Sequence, residues 1–202
     1  MQINKKNTII ILDWDDTLFP TSWVIKNTIN LINPLSVSRN ATYFNTLDNS
    51  LYMLLNKLLS LGKVYIISNA ILKWINISSI ILPKTNKILK QIKIISARQN
   101  YNYLTNDMNK WKEYAFKYII LSEYKRHNYL NIISVGDAKF EYNALVSLYK
   151  WNTKIMKSLK TIQFIKNPHQ NILIEQINIL YNEINKIIYK NEHIDKTFII
   201  VE

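Results

Sequence analysis

Apolar runs of strand length recur along this chain, with segments of helical periodicity between them. Residues 8–13, Thr-Ile-Ile-Ile-Leu-Asp, are continuous and β-branched rather than alternating, the pattern of a strand buried on both faces. Residues 44–61 space Leu47, Leu51, Leu54, Leu55, Leu58 and Leu61 at helical intervals, and Gly62 stands where a helix C-cap is expected. Residues 63–68 read as a second strand, 92–96 as a third, 131–136 as a fourth and 160–165 as a fifth. Further helices are predicted over 107–126, 139–150 and 170–190. The last turns Ile172, Ile174, Ile177, Leu180, Ile184 and Ile187 or Ile188 inward. Strands alternating with helices predict an α/β protein: a Rossmann-like three-layer α/β/α sandwich with a mainly parallel central sheet. Neither linker nor internal repeat is visible, so one domain spanning 1–202 is expected.

Open sheets of this kind bind ligands beyond the carboxyl ends of their strands. The first strand ends in Asp13-Trp14-Asp15-Asp16-Thr17, the second in Ser68-Asn69, and the fourth in Gly136-Asp137-Ala138-Lys139-Phe140-Glu141. Three strands thus deliver polar or acidic groups to one edge, in a chain with only 14 acidic residues. Carboxylates gathered that closely repel one another unless a cation lies among them. All-oxygen ligation suits a hard divalent ion, Mg2+ first.

Composition narrows the chemistry further. Two glycines, Gly62 and Gly136, stand where ordinary usage would give about fourteen. A glycine-rich phosphate loop or dinucleotide fingerprint is therefore excluded. The absence of cysteine removes disulfides, thiolate metal sites and cysteine nucleophiles. The net charge is +12, from 23 lysines and three arginines against the 14 acids. Residues 53–130 carry thirteen basic and three acidic groups, so the surplus lies in the middle third rather than in a tail. Such a balance points to nucleic acid or to a solvated surface. The abundance of Ile, Asn, Lys and Tyr, which AT-rich codons encode, favours the second. His127, His169 and His193 fall outside every motif and are expected on the surface. The apolar run before Asp13 is too short for a signal peptide or a membrane span, so an intracellular, soluble protein is expected.

In motif order and spacing, residues 8–165 resemble the haloacid dehalogenase superfamily of phosphotransferases. An apolar strand followed by Asp-x-Asp-x-Thr is its first motif, matched by Asp13, Asp15 and Thr17. Ser68 matches the second, and Asp137 with Glu141 the fourth. The third, a lysine opening the helix before the fourth strand, is met by Lys110, Lys112 or Lys117; Lys112 suits the family best and Lys110 is second. Residues 13–21 are also similar to a signature of small family members from protists and large DNA viruses.

The resemblance implies a Mg2+-dependent phosphatase working through an aspartyl-phosphate. Asp13 would be the nucleophile and Asp15 the general acid and base. The Asp13 carboxylate, the Asp15 backbone carbonyl and the Asp137 carboxylate would hold the metal. Thr17, Ser68, Asn69 and Lys112 would bind the phosphoryl oxygens, Thr17 would also fix the turn that carries Asp15, and Glu141 would orient metal waters or the lysine. Gly136 would support Asp137. Between Thr17 and Ser68, and between Ser68 and Lys112, there is no room for a large cap; residues 24–45 could form a small helical cap or loop insert. An open site in this family tends to serve a bulky phosphomonoester, such as a protein or a nucleic-acid end. The alternative is a catalytically silent module that keeps the fold and binds protein or nucleic acid.

Overall fold

The computed structural model describes residues 3–124, 129–151 and 156–197. His127 and the last two residues of the helix predicted over 107–126 lie outside them. Six strands form one sheet: β1 (Thr8–Leu12), β2 (Lys63–Ser68), β3 (Lys93–Ser96), β4 (Tyr129–Gly136), β5 (Met156–Gln163) and β6 (Ile194–Thr197). Their order is β3-β2-β1-β4-β5-β6, and every pairing is parallel. The five expected strands are all present. The sixth, β6, was not expected: its four residues, Ile-Asp-Lys-Thr, carry neither an apolar run nor clear alternation.

Because β1 is buried on both faces, its residues supply two cores in alternation. Ile10 and Leu12 join Val64, Ile66, Ile133, Val135 and Ile162 beneath α3 (Ala41–Leu61) and α9 (Gln170–Tyr189). Ile9 and Ile11 join Tyr65, Ile67, Ile95, Leu130 and Ile132 beneath α7 (Met108–Tyr124) and α8 (Lys139–Trp151). The result is the three-layer sandwich. In α9 the buried stripe runs Leu173, Ile177, Leu180, Ile184, Ile187 and Ile188. Leu173 thus takes the inward place expected of Ile172 and Ile174, which are only half-buried, because it lies four residues before Ile177.

Residues 24–45 contain parts of α1 (Thr21–Lys26) and α3 and the whole of α2 (Pro34–Ser38). Ile29, Leu31, Val37 and Tyr43, with Trp23 just before them, lay this insert against the α3 core. Beyond β2 lie α4 (Leu72–Ile80) and α5 (Pro83–Leu89), and beyond β3 lies α6 (Ala97–Tyr101). Gly62 does end α3, but in an extended conformation, φ −167°, rather than the left-handed one usual for a glycine cap. Its lack of a side chain is needed for packing: a Cβ there would come within 2.8 Å of the Thr8 backbone oxygen and Cγ2. Among the described residues no helix is long and apolar enough to cross a membrane.

Candidate active site

In this strand order the chain leaves β1 toward β2 and β3, then returns to the other side of β1 as β4. The connections after β1 and β4 therefore diverge, opening a crevice at their carboxyl ends. Asp13 follows β1 there, and its backbone N–H donates to the Val135 carbonyl of β4 at 2.9 Å. Asp137 follows β4.

The turn after β1 is wound around one carbonyl. Trp14 O accepts from the N–H groups of Thr17, Leu18 and Phe19 at 3.4, 2.9 and 2.9 Å. Asp16 completes the turn at φ 51°, a left-handed conformation that Asp tolerates better than most residues. Trp14 points down: it is fully buried, stacks on Phe19 and donates its indole N–H to Ser78 Oγ at 2.9 Å. With Trp14 anchored inward, its neighbours Asp13 and Asp15 face the crevice.

A pocket of 510 Å³ at this place is lined by Asp13, Asp15, Ser68, Asn69, Lys112 and Asp137, together with residues 138–140, Gln163 and Lys166. Six of the residues expected at the site thus meet around one cavity. Lys112 is the lysine that reaches it. It is 1% exposed, with Nζ 2.9 Å from Asp13 Oδ1 and hydrogen-bonded to Glu141 Oε1. Lys110 is exposed and pairs with Glu113, and Lys117 does not line the pocket.

Glu141 and Gly136 lie behind the cavity and support it. A Cβ on Gly136 would fall on the Glu141 carboxylate, so this glycine is what lets Glu141 pass close over the end of β4. Thr17 is fully buried, does not line the pocket, and its hydroxyl has no hydrogen-bond partner among the described residues. The Trp14 carbonyl, not the Thr17 hydroxyl, holds the turn.

Oxygens of Asp13, Asp137 and Glu141 lie within 4.8 Å of one another, a buried acidic cluster that could hold a metal ion. Two of its atoms invite one. Among the described residues Glu141 Oε2 is buried without a hydrogen-bond donor, and Asp13 Oδ1 is buried out of hydrogen-bond alignment with Lys112. The Asp15 carboxylate is not a member of this cluster. Its Oδ1 accepts from Thr21 Oγ1 at 2.5 Å and Trp74 Nε1 at 2.8 Å, while Oδ2 lies 3.5 Å from Ser68 Oγ.

Crowding shows in the acidities. Burial, then Asp13, Glu141 and Asp16, push the Asp137 carboxyl up to about 7. Burial and Asp13 raise Asp15, against the donors Thr21 and Trp74. Glu141 is raised by burial, with Lys112 opposing. Burial alone would push Lys112 down, but Asp13 and Glu141 outweigh it and hold the ammonium above its ordinary range.

Several lining or supporting residues escaped the sequence reading. Gln163 and Lys166 close the far wall from the end of β5 and just beyond it, so the strand-end rule applied to the other strands would have found them. Trp74 gave no signal, since it comes from a helix in an interval judged only by its length. Of the basic surplus over 53–130, only Lys112 among the described residues reaches the pocket, and its charge is taken up by Asp13 and Glu141. The exposed cations on the pocket wall are Lys139 and Lys166. Comparisons with protein-family models, with curated proteins and with solved structures gave no match.

Proposed function

We propose that the chain is a Mg2+-dependent phosphatase that forms an aspartyl-phosphate on Asp13. One observation carries this reading: a buried ammonium, Lys112, held between Asp13 and Glu141 with Asp137 alongside, at the crevice between β1 and β4. Lysine has three donors; one is hydrogen-bonded to Glu141 while the ammonium is ion-paired with Asp13, so donor capacity is left for a phosphoryl oxygen in the pocket that Lys112 lines. The Ser68 hydroxyl and the Asn69 amide, on the same wall, supply further donors. In-line transfer then needs a nucleophile and an acid on one short segment, and Asp13 and Asp15 both line the cavity.

A carboxylate oxygen of Asp13 attacks phosphorus while the bond to the leaving oxygen breaks, and Asp15 gives that oxygen its proton. In the second half, water attacks the phosphorylated Asp13 and passes a proton back to Asp15. Phosphate leaves and Asp13 is restored. Mg2+, held by the Asp13 and Asp137 carboxylates and the Asp15 carbonyl, would neutralise charge on the phosphoryl oxygens. The substrate is a bulky phosphomonoester, because no residue of the 24–45 insert lines the pocket to cover it. The test is hydrolysis of 4-nitrophenyl phosphate, which should require Mg2+ and should fall by at least about 10³-fold in Asp13→Asn. Undiminished turnover in that variant would overturn the mechanism.

A further inference from the structure

The Asp15 carboxylate is held from behind in an asymmetric way. Both strong donors, Thr21 Oγ1 and Trp74 Nε1, go to the same oxygen, Oδ1. Neither residue lines the pocket, whereas Asp15 does. An indole N–H can only donate, so Oδ1 must act as an acceptor while that bond is kept. Two accepted hydrogen bonds make Oδ1 the oxygen that holds the negative charge, which favours a proton on Oδ2, the oxygen beside Ser68.

The clamp is itself supported. Asp16, the left-handed residue of the turn, accepts from the Ser22 N–H at 2.9 Å and from the Ser22 hydroxyl. These bonds fix the first turn of α1 and with it Thr21. The Trp74 ring meets Phe19 edge-on, with centroids 5.9 Å apart, and Phe19 belongs to the same turn. The segment that presents Asp13 and Asp15 to the pocket therefore also anchors the two groups that orient Asp15.

We infer that Trp74 and Thr21 are positioning residues that reserve Asp15 Oδ2 for the proton exchanged with the leaving oxygen. This rests on the phosphatase reading and deepens it toward a substrate class. As an Asp13 oxygen bonds to phosphorus, the bond from phosphorus to the leaving oxygen breaks, and its electron pair takes the proton from Oδ2. The products are a neutral alcohol and the Asp15 carboxylate, with Oδ1 still bonded to Trp74 and Thr21. In the second half an attacking water yields its proton to Oδ2, and atoms and charge balance over the cycle. A good aryl leaving group departs without such help, while an alkoxide depends on it. The clamp thus points to alkyl phosphomonoesters as the natural substrates.

The experiment measures kcat/KM for 4-nitrophenyl, phenyl and ethyl phosphate in wild type, Trp74→Phe, Thr21→Val and the double variant. Trp74→Phe keeps the ring against Phe19 and removes only the N–H; Thr21→Val keeps the shape and removes the hydroxyl. The loss should grow with the basicity of the leaving group, exceeding that on 4-nitrophenyl phosphate by at least about tenfold for ethyl phosphate in the double variant. Thr21→Ser should restore the Thr21 share, because the hydroxyl returns. An equal loss on all three esters, or none, would overturn the clamp while leaving Asp13-dependent turnover intact. If wild type hydrolyses none of them, the phosphatase reading falls first and the clamp with it. Thermal unfolding of each variant separates a folding defect from a catalytic one.

Discussion

Among the described residues two lysines are buried, and their surroundings could hardly differ more. Lys112 on α7 is 1% exposed and Lys160 on β5 is 0% exposed. Lys160 meets dipoles: its ammonium donates to the carbonyls of Ile188 and Lys190, each at 2.6 Å, at the C-terminal end of α9. Burial outweighs what those carbonyls and Glu192 return, and the group is pushed down to about 8. Lys112 meets full charges, Asp13 and Glu141 in contact and Asp137 close by, and is held above its ordinary range. Both side chains are almost wholly removed from solvent, and what sets them apart is the partner, full carboxylate charges at Lys112 against carbonyl dipoles at Lys160. The Lys112 site also carries more negative than positive charge, and two of its buried carboxylate oxygens lack an aligned donor. An arrangement built only for stability would not leave that excess. One prepared for a cation would, as the proposed phosphatase needs.

The comparison breaks most readily at Lys112. Lys112→Met removes the one cation that touches Asp13 and Glu141 among the described residues, and should cost about 3–5 kcal/mol, read by chemical denaturation in EDTA at pH 8. Turnover of 4-nitrophenyl phosphate should fall by at least about 10²-fold in the same variant. A loss below about 1 kcal/mol would place Lys112 among ordinary surface pairs and remove the contrast with Lys160.

Next in size is the response to metal. With its carboxyl raised from 3.8 to about 7, folded Asp137 keeps a proton that the unfolded chain has already lost. Over that window the folded state binds more protons, so this group's contribution to metal-free stability falls as pH rises and is lowest above 7. A divalent cation at the proposed site would take the place of the proton. The gain in melting temperature from Mg2+ should therefore be small at pH 5.5 and several degrees at pH 8. A hundredfold excess of ligand over Kd corresponds to about 2.7 kcal/mol. Equal gains at both pH values would detach the ion from Asp137.

Much of this was legible in the sequence because each signal was local. Continuous β-branched runs marked the buried strands, and what followed β1, β2 and β4 marked the pocket. What stayed hidden was set by packing between distant segments. Nothing near Trp74 says that its indole will reach Asp15 across 59 positions. Three lysines were open from spacing, and only the turn of α7 onto the sheet selects Lys112. Gly62 was read as a cap from its place after a leucine repeat, whereas its smallness answers to Thr8 on the neighbouring strand. Lys160 had no motif at all, since a lysine inside a strand normally reads as solvent-facing.

That last residue offers the finest test of the contrast. With a folded value near 8 against 10.5 for the free side chain, Lys160 holds fewer protons folded than unfolded between those limits. Stability attributable to it therefore rises with pH from about 8 toward 10, as the penalty for burying an ammonium is relieved. Lys112 adds no slope there, because both of its states stay protonated through that window. Lys157 is also lowered by burial and slopes the same way, so the difference between wild type and Lys160→Met, not either curve alone, isolates the effect. Lys160→Met should change stability at pH 7 by only about 1 kcal/mol, since losing two hydrogen bonds offsets removing a buried charge. It should flatten the rise above pH 8 and leave turnover untouched. If denaturation midpoints of the two proteins ran parallel from pH 7 to 10, carbonyl dipoles would be holding that ammonium as firmly as carboxylates hold Lys112, and charge would not be what separates the two sites.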